Sequence, residues 1–230
     1  MMYGFHWDLS NPLAFAWSIL PIILIGLTVT VEATILGFIV SLIIGLALAL
    51  LRRTHTRWVA WPTAVVIEFI RDTPLIVQLF FLYYVLPQFG ILLPAFLTGA
   101  LALGIQYSAY MSEVYRAGLD AVPHGQLEAA TALNLSRTRM YVSIIIPQAI
   151  PRILPAMGNY LVSMIKDTPV LSVVTVLEML GLARIIGDRT FRYLVPLTLV
   201  GAIFLILSMT ASAGVRRLER ALPKSGILLR

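Results

Sequence analysis

Between Leu20 and Leu51 the chain carries one charged residue, Glu32. Crossing the hydrocarbon core of a bilayer takes about 20 apolar residues in helical form, so this run exceeds a single upright span. It is expected to divide, with roughly Pro21–Glu32 lying in the interface and Ala33–Leu51 crossing. Four more stretches follow: about Val59–Leu86, interrupted by Glu68, Arg71 and Asp72; about Phe96–Tyr115; about Ile144–Leu177, broken by Pro147, Pro151, Pro155 and Pro169; and about Leu194–Val215. The expected fold is all-α, with about five transmembrane helices in one domain over residues 1–230.

Composition supports this and narrows the chemistry. At 59% hydrophobic and 12% charged, with mean hydropathy +0.90, the chain is too apolar for a soluble domain of its size. Cysteine is absent, which excludes disulfides and thiolate metal sites. His6, His55 and His124 are far apart in sequence, so no metal site is expected. The opening residues lack a basic segment, and the apolar run after them is too long for a signal peptide, so the N-terminus reads as mature and uncleaved. Tyr3, Phe5, Trp7 and Trp17 suit an interfacial aromatic belt.

The net charge of +6 reports orientation and lipid contact rather than nucleic-acid binding, because no basic patch is interleaved with aromatics. Arg52, Arg53, Arg57, Arg116, Arg137, Arg139, Arg216, Arg217, Arg220, Lys224 and Arg230 fall on one side of the predicted spans. Only Arg184, Arg189 and Arg192 fall on the other. The positive-inside rule then puts the N-terminus outside and the tail in the cytoplasm.

That side also holds the longest polar segment, EAATALNLSRTRMYVSIIIP from Glu128 to Pro147. Pro123 suits a first helical turn, and Gln126–Leu133 is rich in helix formers. Asn134 can close that helix in the left-handed conformation, and Ser136 can cap a second one running toward Tyr141. Ala129, Ala130 and Ala132 are expected on an exposed face open to close approach, with Glu128 free to pair with a partner. Taken alone, a Glu-Ala-Ala tripeptide is an ordinary solvated helix surface.

Charges inside the spans define a second group of candidates: Glu68, Arg71, Asp72, Glu113, Lys166 and Asp167. Each costs on the order of 3 kcal/mol at the bilayer centre, so they should face a polar cavity or one another. Arg71-Asp72-Thr73-Pro74-Leu75 recurs as Lys166-Asp167-Thr168-Pro169-Val170, in two spans that run the same way across the membrane. Pro74 and Pro169 each remove a backbone donor, and unwound backbone near midplane holds zwitterions in transporters. Cross-helix pairing between the two Asp-Thr-Pro segments is expected. The competing reading is a charge network that locks the bundle, with Lys166 paired to Glu113 or Asp72. Gln78, Gln106 and Gln148 either line a path or bond between helices. Glu32 and Glu178 are weaker candidates, Glu178 being expected at an outer helix end in water.

The Glu128–Pro147 segment resembles the E-A-A-x-x-x-G-x₉-I-x-L-P loop of the inner-membrane permeases of bacterial ABC importers. Glu128, Ala129, Ala130, Ile144 and Pro147 match, Ile146 stands for Leu, and Asn134 replaces Gly. The likeness extends over nearly the whole chain from Gly26. RDTPLIVQLFFLYYVLP is similar to the second-span signature of the polar amino-acid (histidine/glutamine) permeases, with Asp72 where Gly is usual. YSAYMSEVYRAGLDAVPHGQLEAA is similar to their third span and loop, and IPQAIPRILPAMGNYLVSMIKDTPVLS to their fourth, with Pro169 where Ser is commoner. General similarity points, within that family, to permeases for ectoine and hydroxyectoine.

The resemblance implies a type I importer in the bacterial inner membrane. Its parts are two permease subunits (the same or homologous), a cytoplasmic dimer of ATPases that bind ATP and Mg, and an extracellular solute-binding protein. It implies a coupling loop at about 117–143, where the ATPase acts on Glu128, Ala129, Ala130, Asn134, Ile144 and Pro147. Lys166, Asp167, Thr168, Arg71, Asp72, Thr73, Glu113 and Gln78 are the candidates for the solute path. This chain has no G-x-x-x-x-G-K-[ST], so no cofactor is expected in it and ATP hydrolysis belongs to a partner chain. The alternative is an ion-coupled secondary transporter whose buried charges bind protons or sodium. A membrane enzyme has no nucleophile–base pair or metal cluster to support it.

Overall fold

A computed structural model of the chain describes residues 7–221. Tyr3, Phe5, His6, Lys224 and Arg230 lie outside the described residues. The described residues are helical, with no strand. Helix α1 covers Pro12–Arg52, α2 Arg57–Asp72, and α3 Leu75–Phe80, which runs on through a π turn at Phe81–Val85 and a 3₁₀ turn at Leu86–Phe89. Helix α4 covers Ala95–Asp120, α5 His124–Ala132, and α6 Arg137–Met140. A π turn at Tyr141–Ile145 leads from α6 into α7, Ile146–Asp167, which passes into a 3₁₀ turn at Thr168–Val174. Helices α8, Met179–Thr190, and α9, Leu194–Ala221, complete the described chain.

The first apolar run does not divide. Helix α1 is continuous over 41 residues with Pro21 inside it, about 61 Å at 1.5 Å per residue. The expected interfacial segment Pro21–Glu32 is thus part of one long helix. Tertiary packing explains why. Phe15, Ile19, Ile22, Ile23, Gly26 and Thr30 extend the buried stripe that continues through Ala33, Gly37, Ser41, Gly45 and Ala49, so both halves of α1 rest on protein. Side chains from α1, α8 and α9 form one core around Phe15, Ile19, Ile23, Met179 and Ile186. A Cβ at Gly26 would stand 2.8 Å from the Met179 Cα, and one at Gly45 would stand 2.6 Å from the Met111 Cβ. Glycine therefore sets the approach of α8 and α4 to α1.

Three stretches are long and apolar enough to cross a membrane by themselves: Pro12–Arg52, Arg137–Val174 and Leu194–Ala221. The third expected span corresponds to α4, which is less apolar because most of its central surface faces protein rather than lipid. The second is the broken pair α2–α3. Exposed Trp17, Ile25, Ile43, Leu205, Ile206 and Met209 provide the apolar surface that a bilayer covers. Trp7, by contrast, packs on the α1–α8–α9 core.

The prolines behave differently from one another. Pro151 and Pro155 lie inside α7 without interrupting it, and Pro147 sits in its first turn. A proline ring collides with the carbonyl four residues back. Both π turns end immediately before an X-Pro pair: the Ile146 N–H bonds to the Tyr141 oxygen ahead of Pro147, and the Leu86 N–H bonds to the Phe81 oxygen ahead of Pro87. Widening the turn at that point accommodates the ring without ending the helix. At Pro74 and Pro169 the α-helix itself ends, and both α2 and α7 close on the Asp of the repeated motif, Asp72 and Asp167. The two breaks differ in kind: Thr73 is extended, whereas Thr168 keeps helical angles and opens the 3₁₀ turn.

Candidate functional site

The loop between α4 and α7 builds its own end structures. Asn134 takes the left-handed conformation at φ 53°. Its N–H bonds to the Thr131 oxygen at 2.9 Å, and that of Leu135 to the Ala130 oxygen at 3.1 Å. This pair is a Schellman closure of α5. The Ser136 hydroxyl accepts from the Arg139 N–H at 3.4 Å and caps α6. Glu128, Ala129 and Ala132 are exposed, and Glu128 has no ion pair or hydrogen bond among the described residues. Ala130 is not on that face. It is buried at 1% exposure, which corrects the expected docking surface to Glu128, Ala129 and Ala132. Ile144 is half-buried and Pro147 exposed, while the intervening Ile145 anchors the loop in a core with Met111, Val122, Ala149 and Ile153.

An ionic network ties this region to α1. Arg52 pairs with Glu113, Arg53 with Asp120, and Arg116 with both Glu113 (2.6 Å) and Asp120 (3.2 Å). Glu113 therefore braces the joined ends of α1 and α4. It does not pair with Lys166, and neither does Asp72. Lys166 and Asp72 are exposed and without a partner among the described residues.

The two Asp-Thr-Pro segments are joined, but not by the expected ion pair. Three tyrosines lie between them. The Arg71 guanidinium sits over the Tyr110 ring, 5.8 Å from its centroid, a cation–π distance. Tyr110 stacks on Tyr160 with centroids 5.3 Å apart, and Tyr107 stands edge-on to both at 5.9 and 6.1 Å. The Tyr107 hydroxyl donates to Asp167 Oδ2 at 2.7 Å. The result is an aromatic group with a cation at one end and a carboxylate at the other. Arg71 also reaches Glu68 at 3.3 Å, while its Nε is buried without a protein acceptor. Thr168 is buried and bonds back to the Ile165 oxygen at 2.7 Å, so it serves the helix end.

Gln78 has a local task. In an unbroken helix the residue at position 74 would donate to the Ile70 carbonyl, and Pro74 cannot. Gln78 Nε2 donates there instead at 2.8 Å and also reaches the Thr73 oxygen at 3.2 Å. Its amide lies 2.6 Å from that of Gln106. Thr73 bonds through its hydroxyl to the Phe69 oxygen at 2.7 Å. Gln148 bonds to Gln126 at 3.4 Å, between α7 and α5.

Sequence reasoning missed Tyr107, Tyr110 and Tyr160. The three-residue spacing of the first two on α4 was the available signal, since it places them on one helix face. Glu178 was also misplaced. It is fully buried and caps α8, accepting from the Leu180 and Gly181 N–H groups at 2.8 and 2.7 Å. Burial raises its carboxyl pKa against the lowering pull of those two bonds. Glu32 is exposed on α1 without a partner among the described residues.

The model of the binding-protein-dependent transport system inner membrane component family matches residues 41–223. The chain belongs to this family and is a multi-pass protein of the inner membrane. It is similar to the probable amino-acid ABC transporter permease protein y4tG of Sinorhizobium fredii (strain NBRC 101917 / NGR234), at 64% identity over 100% of both chains. It is also similar to the L-cystine transport system permease protein TcyB of Bacillus subtilis (strain 168), at 34% identity over 95% of this chain and 93% of that one. A crystal structure of an amino acid ABC transporter with histidines aligns with TM-score 0.86 and 36% identity, covering 93% of this chain and 99% of that chain. The fold is that of a type I ABC permease.

Proposed function

We propose that this chain is the permease subunit of an ATP-driven importer for polar amino acids or related zwitterions. The observation that carries this reading is the self-capped helix pair α5–α6, which presents unpaired Glu128 beside Ala129 and Ala132. In the proposed orientation it faces the cytoplasm, where an ATPase dimer binding ATP and Mg seats on it. A second permease, identical or homologous, completes the solute path, and a solute-binding protein delivers cargo from outside. An amino-acid cargo is supported by the descriptions of the relatives, which name amino acids. It is also supported by the chemistry of the tyrosine group, where Arg71 suits a carboxylate, Asp167 an ammonium, and the rings a side chain or quaternary centre. Ectoine and hydroxyectoine are zwitterions of this class and stand among the cargoes to be tested. Membership of a binding-protein-dependent family weighs against an ion-coupled transporter.

The test is uptake by the complex co-purified with this chain, in proteoliposomes with the cognate binding protein. Candidate solutes are first screened for binding to that protein. Uptake should require ATP on the side of α5–α6 and persist when ionophores collapse ion gradients. Uptake driven by a proton or sodium gradient without ATP overturns the proposal.

A further inference from the structure

We infer that the corner between α1 and α2 is a binding site for the headgroup of an anionic phospholipid. Arg52, Arg57, Trp58, Ala60, Trp61 and Pro62 line an open cleft there of about 750 Å³. Trp58 is 89% exposed and Trp61 71%, and their three-residue spacing puts them on one face of α2. Such surface is costly in water but is favoured at the boundary between headgroups and acyl chains.

Charge selects the kind of lipid. Arg52 and Arg53 are offset by Glu113 and Asp120. Arg57 is exposed and has no partner among the described residues, so the cleft keeps a net positive charge. Further along α2, Val65, Val66 and Phe69 expose aliphatic and aromatic surface, with the charge of the exposed Glu68 offset by Arg71. Basic side chain, indole rings and aliphatic surface thus follow one another in the order of a lipid's own headgroup, glycerol region and tails. The site serves to fix the level and angle of α2, the helix that ends at the Asp72–Pro74 break. In the orientation proposed above, the lipid belongs to the cytoplasmic leaflet.

The experiment uses the whole transporter in phosphatidylcholine vesicles. Both leaflets carry a small, equal fraction of photoreactive phosphatidylglycerol or photoreactive phosphatidylcholine, so the outcome does not depend on orientation. Crosslinks are mapped by mass spectrometry. A basic residue near the surface contributes about 1 kcal/mol toward an anionic lipid, so labelling of α2 should be about fivefold greater with phosphatidylglycerol. Arg57→Gln should bring the ratio to about one, and Arg57→Lys should keep most of it. Exchanging chloride for inorganic phosphate at equal ionic strength should leave the ratio unchanged. Four results overturn the inference: equal labelling of the native protein by both lipids; no labelling of α2 by either, as when a second copy covers this face; an undiminished ratio in Arg57→Gln; or loss of the ratio in phosphate alone, which makes the corner a phosphate site.

Discussion

Asp167 can touch solute or only brace the bundle, and two substitutions separate these roles. Its carboxylate accepts the Tyr107 hydroxyl at 2.7 Å while the side chain remains partly open. Asp167→Asn removes the charge but leaves an oxygen that can accept the same hydrogen bond. Tyr107→Phe removes the bond and leaves the charge. An interhelical hydrogen bond in a membrane protein contributes about 0.6–1.7 kcal/mol, so Tyr107→Phe should lower the melting temperature of the complex by a few degrees and change apparent solute affinity little. A charge-assisted bond from a solute ammonium contributes about 1.5–3 kcal/mol. Asp167→Asn should therefore raise the half-saturating solute concentration for stimulated ATP turnover about 10- to 150-fold at unchanged maximal rate, with melting nearly native. Thermal melts and solute titrations of both reconstituted complexes provide the check. If Asp167→Asn melts early and the surviving complex keeps its native affinity, Asp167 is structural and the tyrosine group is not the solute site.

Two other positions make separate predictions. Gln78→Leu removes the amide that bonds the Ile70 and Thr73 carbonyls in place of the missing donor of Pro74; losing these part-buried bonds costs about 0.5–1.5 kcal/mol, and a melt indistinguishable from native would refute this role. At Glu178 the pKa is raised by burial, so the folded protein keeps this proton to higher pH than the unfolded chain. That stability is complete below the ordinary carboxylate range and is lost as pH rises through the raised folded value. Melting temperature should fall across that window in the native protein and less so in Glu178→Gln; identical pH profiles would count against it.

What could be read from sequence was mostly local. The Schellman closure at Asn134 and the Ser136 cap depend on side chains and backbone within a few residues, and both form as expected. The break at Thr73–Pro74 was legible for the same reason. The continuity of α1 was not, because it depends on which surfaces α8 and α9 bring against Phe15–Thr30. Ala130 and Ala129 look alike in sequence, yet one packs inward and the other outward. Tyr107, Tyr110 and Tyr160 become a group only when the faces of α4 and α7 that meet are known. Pro151 and Pro155 carry the same chemistry as Pro74 but sit within an unbroken helix.

The measurement closest to the central claim concerns Glu128 and Ala129, exposed on α5 beside the cap that shapes the loop. Glu128→Lys reverses the charge offered to an ATPase, and Ala129→Trp blocks close approach, while neither disturbs the buried Ala130 or Ile145. Both variants should insert and fold normally. In proteoliposomes with binding protein, solute and ATP, the account predicts that uptake is lost while any remaining ATP hydrolysis no longer responds to solute. Native rates of uptake in both variants would contradict it.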